Sequence, residues 1–254
     1  MYKIPAKTLF VGQKLIYVPE CHSTNSALAE LLDRTDLPEG TVLITNHQTQ
    51  GRGQRGNSWE SGKGENLTFS LLLRPRFLTA LNQFQLNVAI ALGIADGLLN
   101  YLPSGLTLKW PNDIMMENRK VGGVLIENQT QGQQLSTAII GIGLNVNQPE
   151  LSHPGAGSLT QFVGRALDLN EVYQELLAGI EARYLSLRAG NYKVLHKEYV
   201  ERLYQYNVPQ EFESDGMSFI GTISDVDESG RLCVLVDGAI RKYLLKEIRM
   251  RISG

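Results

Sequence analysis

The chain has 254 residues, enough for one large domain or for a catalytic domain with a small appendage. Hydrophobic residues are 43% and charged residues 20%, which excludes general disorder. With 24 basic and 26 acidic residues the formal net charge is −2, so no global field draws the chain to nucleic acid or an anionic membrane.

The N-terminus, MYKIPAKTLF, lacks an apolar stretch long enough for a signal peptide. The segment CHSTNSALAELLDR then reads as a helix entered through a cap. Ser23, Thr24 and Asn25 are N-cap types, and Ala27, Leu28, Leu31 and Leu32 form a helical stripe. GTVLITNHQ is a β-rich run that leads into a glycine-rich loop, and ENLTFSLLLRP is a second strand closed by Pro75. From Thr79 to Tyr101 apolar residues recur at helical spacing. LTLKWPND is a short strand stopped by Pro111. RKVGGVLIEN and LSTAIIGIGLNVN read as two paired strands, and their glycines imply close approach of a neighbour or a ligand.

Helical patterns resume near Ser158 and run from Asn170 to Tyr204. After Asn207 short β runs alternate with turn signals at Asp215-Gly216, Ser229-Gly230 and Asp237-Gly238. A domain boundary is expected there, giving a catalytic domain over 1–206 and a tail over 207–254. Such a tail has a marginal core of its own and should pack on the larger domain. No run approaches the roughly 20 apolar residues of a membrane span. Cys21 and Cys233 form neither a zinc spacing nor a disulfide framework, so a soluble cytoplasmic protein is expected.

The loop GRGQRGNSWES satisfies G-x-G-x-x-G through Gly51, Gly53 and Gly56. A dinucleotide site needs a helix immediately after that pattern. NSWESGKGEN follows instead, and it cannot propagate one. The stretch from about residue 49 to 65 is therefore a long loop between two strands, a length usually tied to function or mobility. Its cations, Arg52 and Arg55, alternate with glycines. Guanidinium forks and free backbone N–H groups suit a lid over an anionic ligand. A solvated turn with incidental arginines is the plainer alternative.

Five stretches then occur in order: STN at 23–25, HQTQGRGQRGNSW at 47–59, KWPND at 109–113, RKVGGVLIE at 119–127 and IGIGLNVN at 140–147. Together they closely resemble the biotin protein ligases, over most of the chain from about Ile16 to the β tail. The resemblance implies an α+β fold, with a mixed β-sheet flanked by helices and a small C-terminal SH3-like β-barrel. It implies two chemical steps: biotin attacks the α-phosphate of ATP to give biotinyl-5′-AMP and pyrophosphate, and a lysine of a biotin carboxyl carrier domain then takes the biotin. Mg²⁺ is expected mainly on the ATP phosphates.

By the same resemblance, Ser23, Thr24, Asn25 and Gln48 surround the biotin head group, along with Gly51, Gly53 and Gln54 of the loop. Arg52 sits over the biotin carboxylate and α-phosphate, and Lys120 holds the same groups. Gly123, Gly141 and Gly143 keep the strands free of side chains where the ligand lies. Trp59 stacks on adenine, and Arg55, Asn112 and Asn145 contact the nucleotide. Asp113 is the acceptor near the attacking lysine, while Lys109 stands open between a phosphate contact and a structural strand residue. Each also has a bland role: helix cap, core aromatic, bulge or Asx turn.

One departure stands out. Many relatives carry a basic residue after the second glycine of the loop, and here it is Gln54. Glutamine can hydrogen-bond but cannot neutralise an anion, so a weaker hold on the adenylate is expected. About 15 residues precede the first strand, too few for a DNA-binding helix-turn-helix, so no operator binding is expected. A homodimer is implied by the relatives that pair through the catalytic sheet. The competing readings are a lipoate ligase or octanoyl transferase of the same fold, a nicotinamide-dependent oxidoreductase, and an adenylate-binding regulator without ligase activity.

Overall fold

The computed structural model describes residues 2–251, except for the side chain of Arg55. Two sheets organise the chain. The larger is seven-stranded, in the order β1-β2-β3-β7-β6-β5-β4. Its strands are β1 (Leu15–Cys21), β2 (Val42–Gln48), β3 (Leu67–Leu73), β4 (Leu106–Lys109), β5 (Asp113–Met116), β6 (Arg119–Gln131) and β7 (Gln134–Leu144). β1 and β2 are parallel, joined through helix α1 (Thr24–Leu32), and the other pairings are antiparallel, so the sheet is mixed.

Register divides the residues between two faces. On one face Ile16 pairs with Leu43 and Val18 with Thr45, and Ser70 lies opposite Gly141. Leu125 faces Gly141 and Gly123 faces Gly143. One end of this face is apolar, with Leu28 of α1 packed on Leu43, Leu72 and Ile139. The rest, around Leu125, is lined mainly by glycines and polar residues, where a helix would find little to bury.

The other face carries the main core under helices α2 (Phe84–Leu98), α3 (Leu159–Val163), α4 (Leu169–Arg188) and α5 (Tyr192–Glu201). α2 is buried almost all round, between the sheet and α4. A Cβ on Gly93 would meet the backbone of Ile180, and one on Gly97 the backbone of Glu175 and Leu176. Glycine thus sets how closely α2 and α4 cross. The helical run expected from Asn170 to Tyr204 is broken in two, because Gly190 takes φ +85° between α4 and α5.

The N-terminal segment is tied down by Glu181 of α4, which is 4% exposed. Its carboxylate accepts the backbone N–H groups of Leu9, Phe10 and Val11 at 2.6–2.9 Å.

The tail forms a five-stranded antiparallel sheet ordered β11-β10-β9-β8-β12. Its strands are β8 (Pro209–Ser214), β9 (Met217–Val226), β10 (Leu232–Val236), β11 (Ala239–Tyr243) and β12 (Arg249–Met250). Asp215-Gly216 and Asp237-Gly238 both have positive φ, at the tips of the β8–β9 and β10–β11 hairpins. The sheet is barrel-like, with β11 and β12 as its two edges among the described residues. It docks on the larger unit through the Trp110 indole N–H to Gly230 O (2.9 Å) and through His196 to Asp225 (2.8 Å). Among the described residues, no helix is long and apolar enough to cross a membrane.

Candidate active site

The small-residue region of the sheet and the loop above it bring most of the motif residues together. At one end lies the start of α1. Ser23 is its N-cap in extended backbone, but its side chain makes no capping bond. Gln48, at the end of β2, does that work instead: its Oε1 accepts the Thr24 N–H at 2.7 Å and lies 3.1 Å from the Thr24 hydroxyl. The Ser70 hydroxyl donates to Asn25 Oδ1 at 2.6 Å and shares a 2.7 Å hydrogen bond with the Thr24 hydroxyl. Ser23, Thr24 and Asn25 are all buried. This gives a fixed polar nest, the form a small uncharged polar head group needs.

The loop forms no helix after Gly56, which removes the dinucleotide-binding reading. It folds as a small hairpin, with Arg52 bridged to Ser58 around a single 3₁₀ turn at Gln54–Gly56. Gly53 N donates to Asn57 O at 2.7 Å, and Trp59 N to Gly51 O at 2.9 Å. Arg55 belongs to that turn, but its side chain, expected at the nucleotide, lies outside the described residues. Gly51 packs where a Cβ would overlap the Trp59 carbonyl and approach the Gln48 amide. The hairpin is therefore pressed against the α1 end of the site.

The strand glycines make room as expected, though what fills the room is protein. A Cβ at Gly141 would overlap the Asn25 side chain, and one at Gly143 the Trp59 ring. At Gly123 it would come 3.3 Å from the Lys120 side chain and 3.7 Å from Trp59. The indole thus lies flat on a strip without side chains, its Nε1 buried with no partner among the described residues. Asn145 is 4% exposed. Its Nδ2 donates to Gly157 O at 3.1 Å, while its Oδ1 has no partner among the described residues. A buried donor and a buried acceptor left open are costly unless something binds them.

At the far end stand the charges. Lys120 Nζ lies 2.6 Å from Asp113 Oδ1 and 6.0 Å from the Trp59 ring centre. Lys109 pairs across from Asp113 in the sheet. Burial pushes the Lys109 ammonium below the usual lysine range; Asp113 opposes this, while Lys120 and Arg249 add to it. Cations therefore outnumber anions in this cluster, a balance that suits an anionic ligand. Behind it, burial drives the Tyr199 hydroxyl upward, and Asp113 reinforces the shift.

Asn112 is drawn inward: its Nδ2 donates to Val124 O at 2.5 Å, and its carbonyl accepts Val124 N at 3.0 Å. Of its side chain, Oδ1 is what remains for a ligand. Two residues that sequence reasoning passed over join the site. Ser70 orders Thr24 and Asn25, and Glu127 accepts from both Asn25 and Arg52. The polar letters of ENLTFSLLL, at alternate positions of a buried strand, were the available signal for Ser70. Among the described residues no cluster of three or more His, Cys, Asp or Glu side chains could hold a metal.

Residues 17–145 match the biotin/lipoate A/B protein ligase family. The biotin--[acetyl-CoA-carboxylase] ligase of Mycobacterium tuberculosis is 32% identical over 232 residues, covering 89% of this chain and 85% of the relative. The bifunctional ligase/repressor BirA of Bacillus subtilis is 30% identical over 252 residues, covering 96% of this chain and 76% of the relative. The structure of the Aquifex aeolicus biotin protein ligase in complex with biotin and ATP superposes with a TM-score of 0.79 at 28% identity, over 95% of this chain and 100% of that one. In sequence and fold, the chain belongs to the biotin/lipoate A/B protein ligase family.

Proposed function

We propose that this chain is an ATP-dependent biotin–[acetyl-CoA-carboxylase] ligase. The observation that carries the reading is one continuous surface: a polar nest at Thr24 and Asn25, a side-chain-free strip under Trp59, and a cationic cluster at Lys109 and Lys120. An uncharged bicyclic head, an adenine and a chain of phosphates ask for those three kinds of surface. Ser23, Thr24, Asn25 and Gln48 would receive the ureido head, with Gly51, Gly53 and Gln54 closing above it.

In the first step a biotin carboxylate oxygen attacks the α-phosphorus, and the bond to pyrophosphate breaks. Both reactants are anions, so Arg52 and Lys120 neutralise the charge that builds between them. Trp59 stacks on adenine, and the open Oδ1 of Asn145 would accept from its amino group. Arg55 and the Asn112 Oδ1 are further nucleotide contacts. Mg²⁺ would enter as part of MgATP, held mainly by the phosphates.

In the second step the neutral amine of a carrier-domain lysine attacks the acyl carbon and AMP leaves. Asp113, which pairs with Lys120, would take the amine proton. The hairpin from Gly51 to Trp59 shuts out water meanwhile. The carrier is the biotin carboxyl carrier domain of a carboxylase. We also infer a cytoplasmic location, a homodimer and no operator binding, on the negative net charge and the family resemblance.

Pyrophosphate exchange into ATP tests the ligand. Biotin should drive exchange at least about 100-fold better than lipoate, because the buried polar nest would be left unpaired by a lipoyl ring. Equal exchange with lipoate would assign the chain to the other branch of the family.

A further inference from the structure

We propose that Glu127 is a positioning residue for Arg52, holding the loop guanidinium over the reacting anions; this rests on the ligase reading above. Glu127 closes the motif RKVGGVLIE, yet no step of the reaction uses it. It lies on β6 opposite Ile139, on the same face as Gly123 and Leu125. Its Oε2 accepts from Arg52 Nη2 at 2.8 Å and from Asn25 Nδ2 at 2.7 Å.

Asn25 is 2% exposed and is itself held by Ser70, so the carboxylate is aimed by a buried, ordered group. One oxygen atom thereby links the head-group nest to the loop cation. The side chains of Arg52 and Glu127 are 45% and 41% exposed. An ion pair that open contributes little to stability, so stability alone does not account for it. Position does. Arg52 stands on a loop between two glycines, where a free arginine would lose much rotamer entropy on meeting an anion. Glu127 engages one terminal nitrogen and leaves the rest of the fork for the ligand. A bidentate grip would instead have occupied a second nitrogen of the fork.

The test uses the full chain carrying Glu127→Ala, Glu127→Gln, Arg52→Ala and the Arg52/Glu127 double alanine. In biotin-dependent exchange, Glu127→Ala should lower kcat about 10-fold with little change in the KM for biotin. Glu127→Gln keeps an acceptor oxygen and should recover most of that loss. The double variant should be no slower than Arg52→Ala, since on this proposal Glu127 acts on kcat through Arg52 and not through Asn25. Equal losses from Glu127→Ala with and without Arg52 would overturn the proposal, as would a gain in biotin affinity, the mark of a competitor.

Trypsin cleavage after Arg52 in the ligand-free chain gives a readout independent of catalysis. Glu127→Ala should speed it at an unchanged urea midpoint, and unchanged cleavage would also overturn the proposal. If the wild type shows no biotin-dependent exchange, the ligase reading fails, while the cleavage assay still decides whether Glu127 docks Arg52.

Discussion

Gln54 lies in the single 3₁₀ turn of the loop hairpin, two residues beyond Arg52. A positive charge there would face the same anions that Arg52 and Lys120 serve. On the proposed reading, glutamine leaves the adenylate with less counter-charge on the loop side, and Lys109 and Lys120 would hold it from the sheet side. Gln54→Arg is therefore predicted to lengthen the half-life of enzyme-held biotinyl-AMP by about 10-fold, the worth of one charge-assisted hydrogen bond of about 1.4 kcal/mol. Release of labelled adenylate on a gel-filtration time course measures it, and an unchanged lifetime contradicts the charge argument. Residue roles were only partly legible in the sequence. Gln48 was assigned to the ligand by resemblance, yet it also caps α1 from a strand 24 positions away, a pairing no local pattern encodes. Glu127 drew no role from the sequence because its partners, Asn25 and Arg52, are far off along the chain.

Elements were read more surely than their partners. Strands β2, β3, β6 and β7 and helix α2 follow from periodicity and turn chemistry, since each has a strongly apolar side to bury. The run after Asn170 looked continuous because α4 and α5 share a helical stripe, and Gly190 with positive φ decides the break. The glycines inside α2 are equally opaque from sequence. In an isolated helix Gly97→Ala gains about 1 kcal/mol. Here the added Cβ would meet the backbone of Glu175 and Leu176, which cannot swing aside as a side chain can. Gly97→Ala is predicted to destabilise the fold by about 1–3 kcal/mol in urea melts. A stabilised variant would contradict the close crossing of α2 and α4.

At the scale of the molecule, the KWPND turn joins the tail to β6. Trp110 reaches into the tail, Asn112 clamps β6, and Asp113 meets Lys120. The tail is thereby fixed beside the cationic cluster, and Arg249 of β12 adds its charge at Lys109. Trp110→Phe removes the indole N–H that Gly230 O accepts, at a predicted cost of about 1 kcal/mol in the urea midpoint free energy. An unchanged midpoint would show that tail docking does not draw on this bond. The central claim is that the nest, the strip under Trp59 and the cationic cluster act as one ligase site. Its most direct test is transfer of labelled biotin to an apo biotin carboxyl carrier domain with MgATP. The account predicts label on the carrier lysine with the wild type, and label reduced at least about 100-fold with Lys120→Ala. No transfer by the folded wild type, or full transfer by Lys120→Ala, would contradict it.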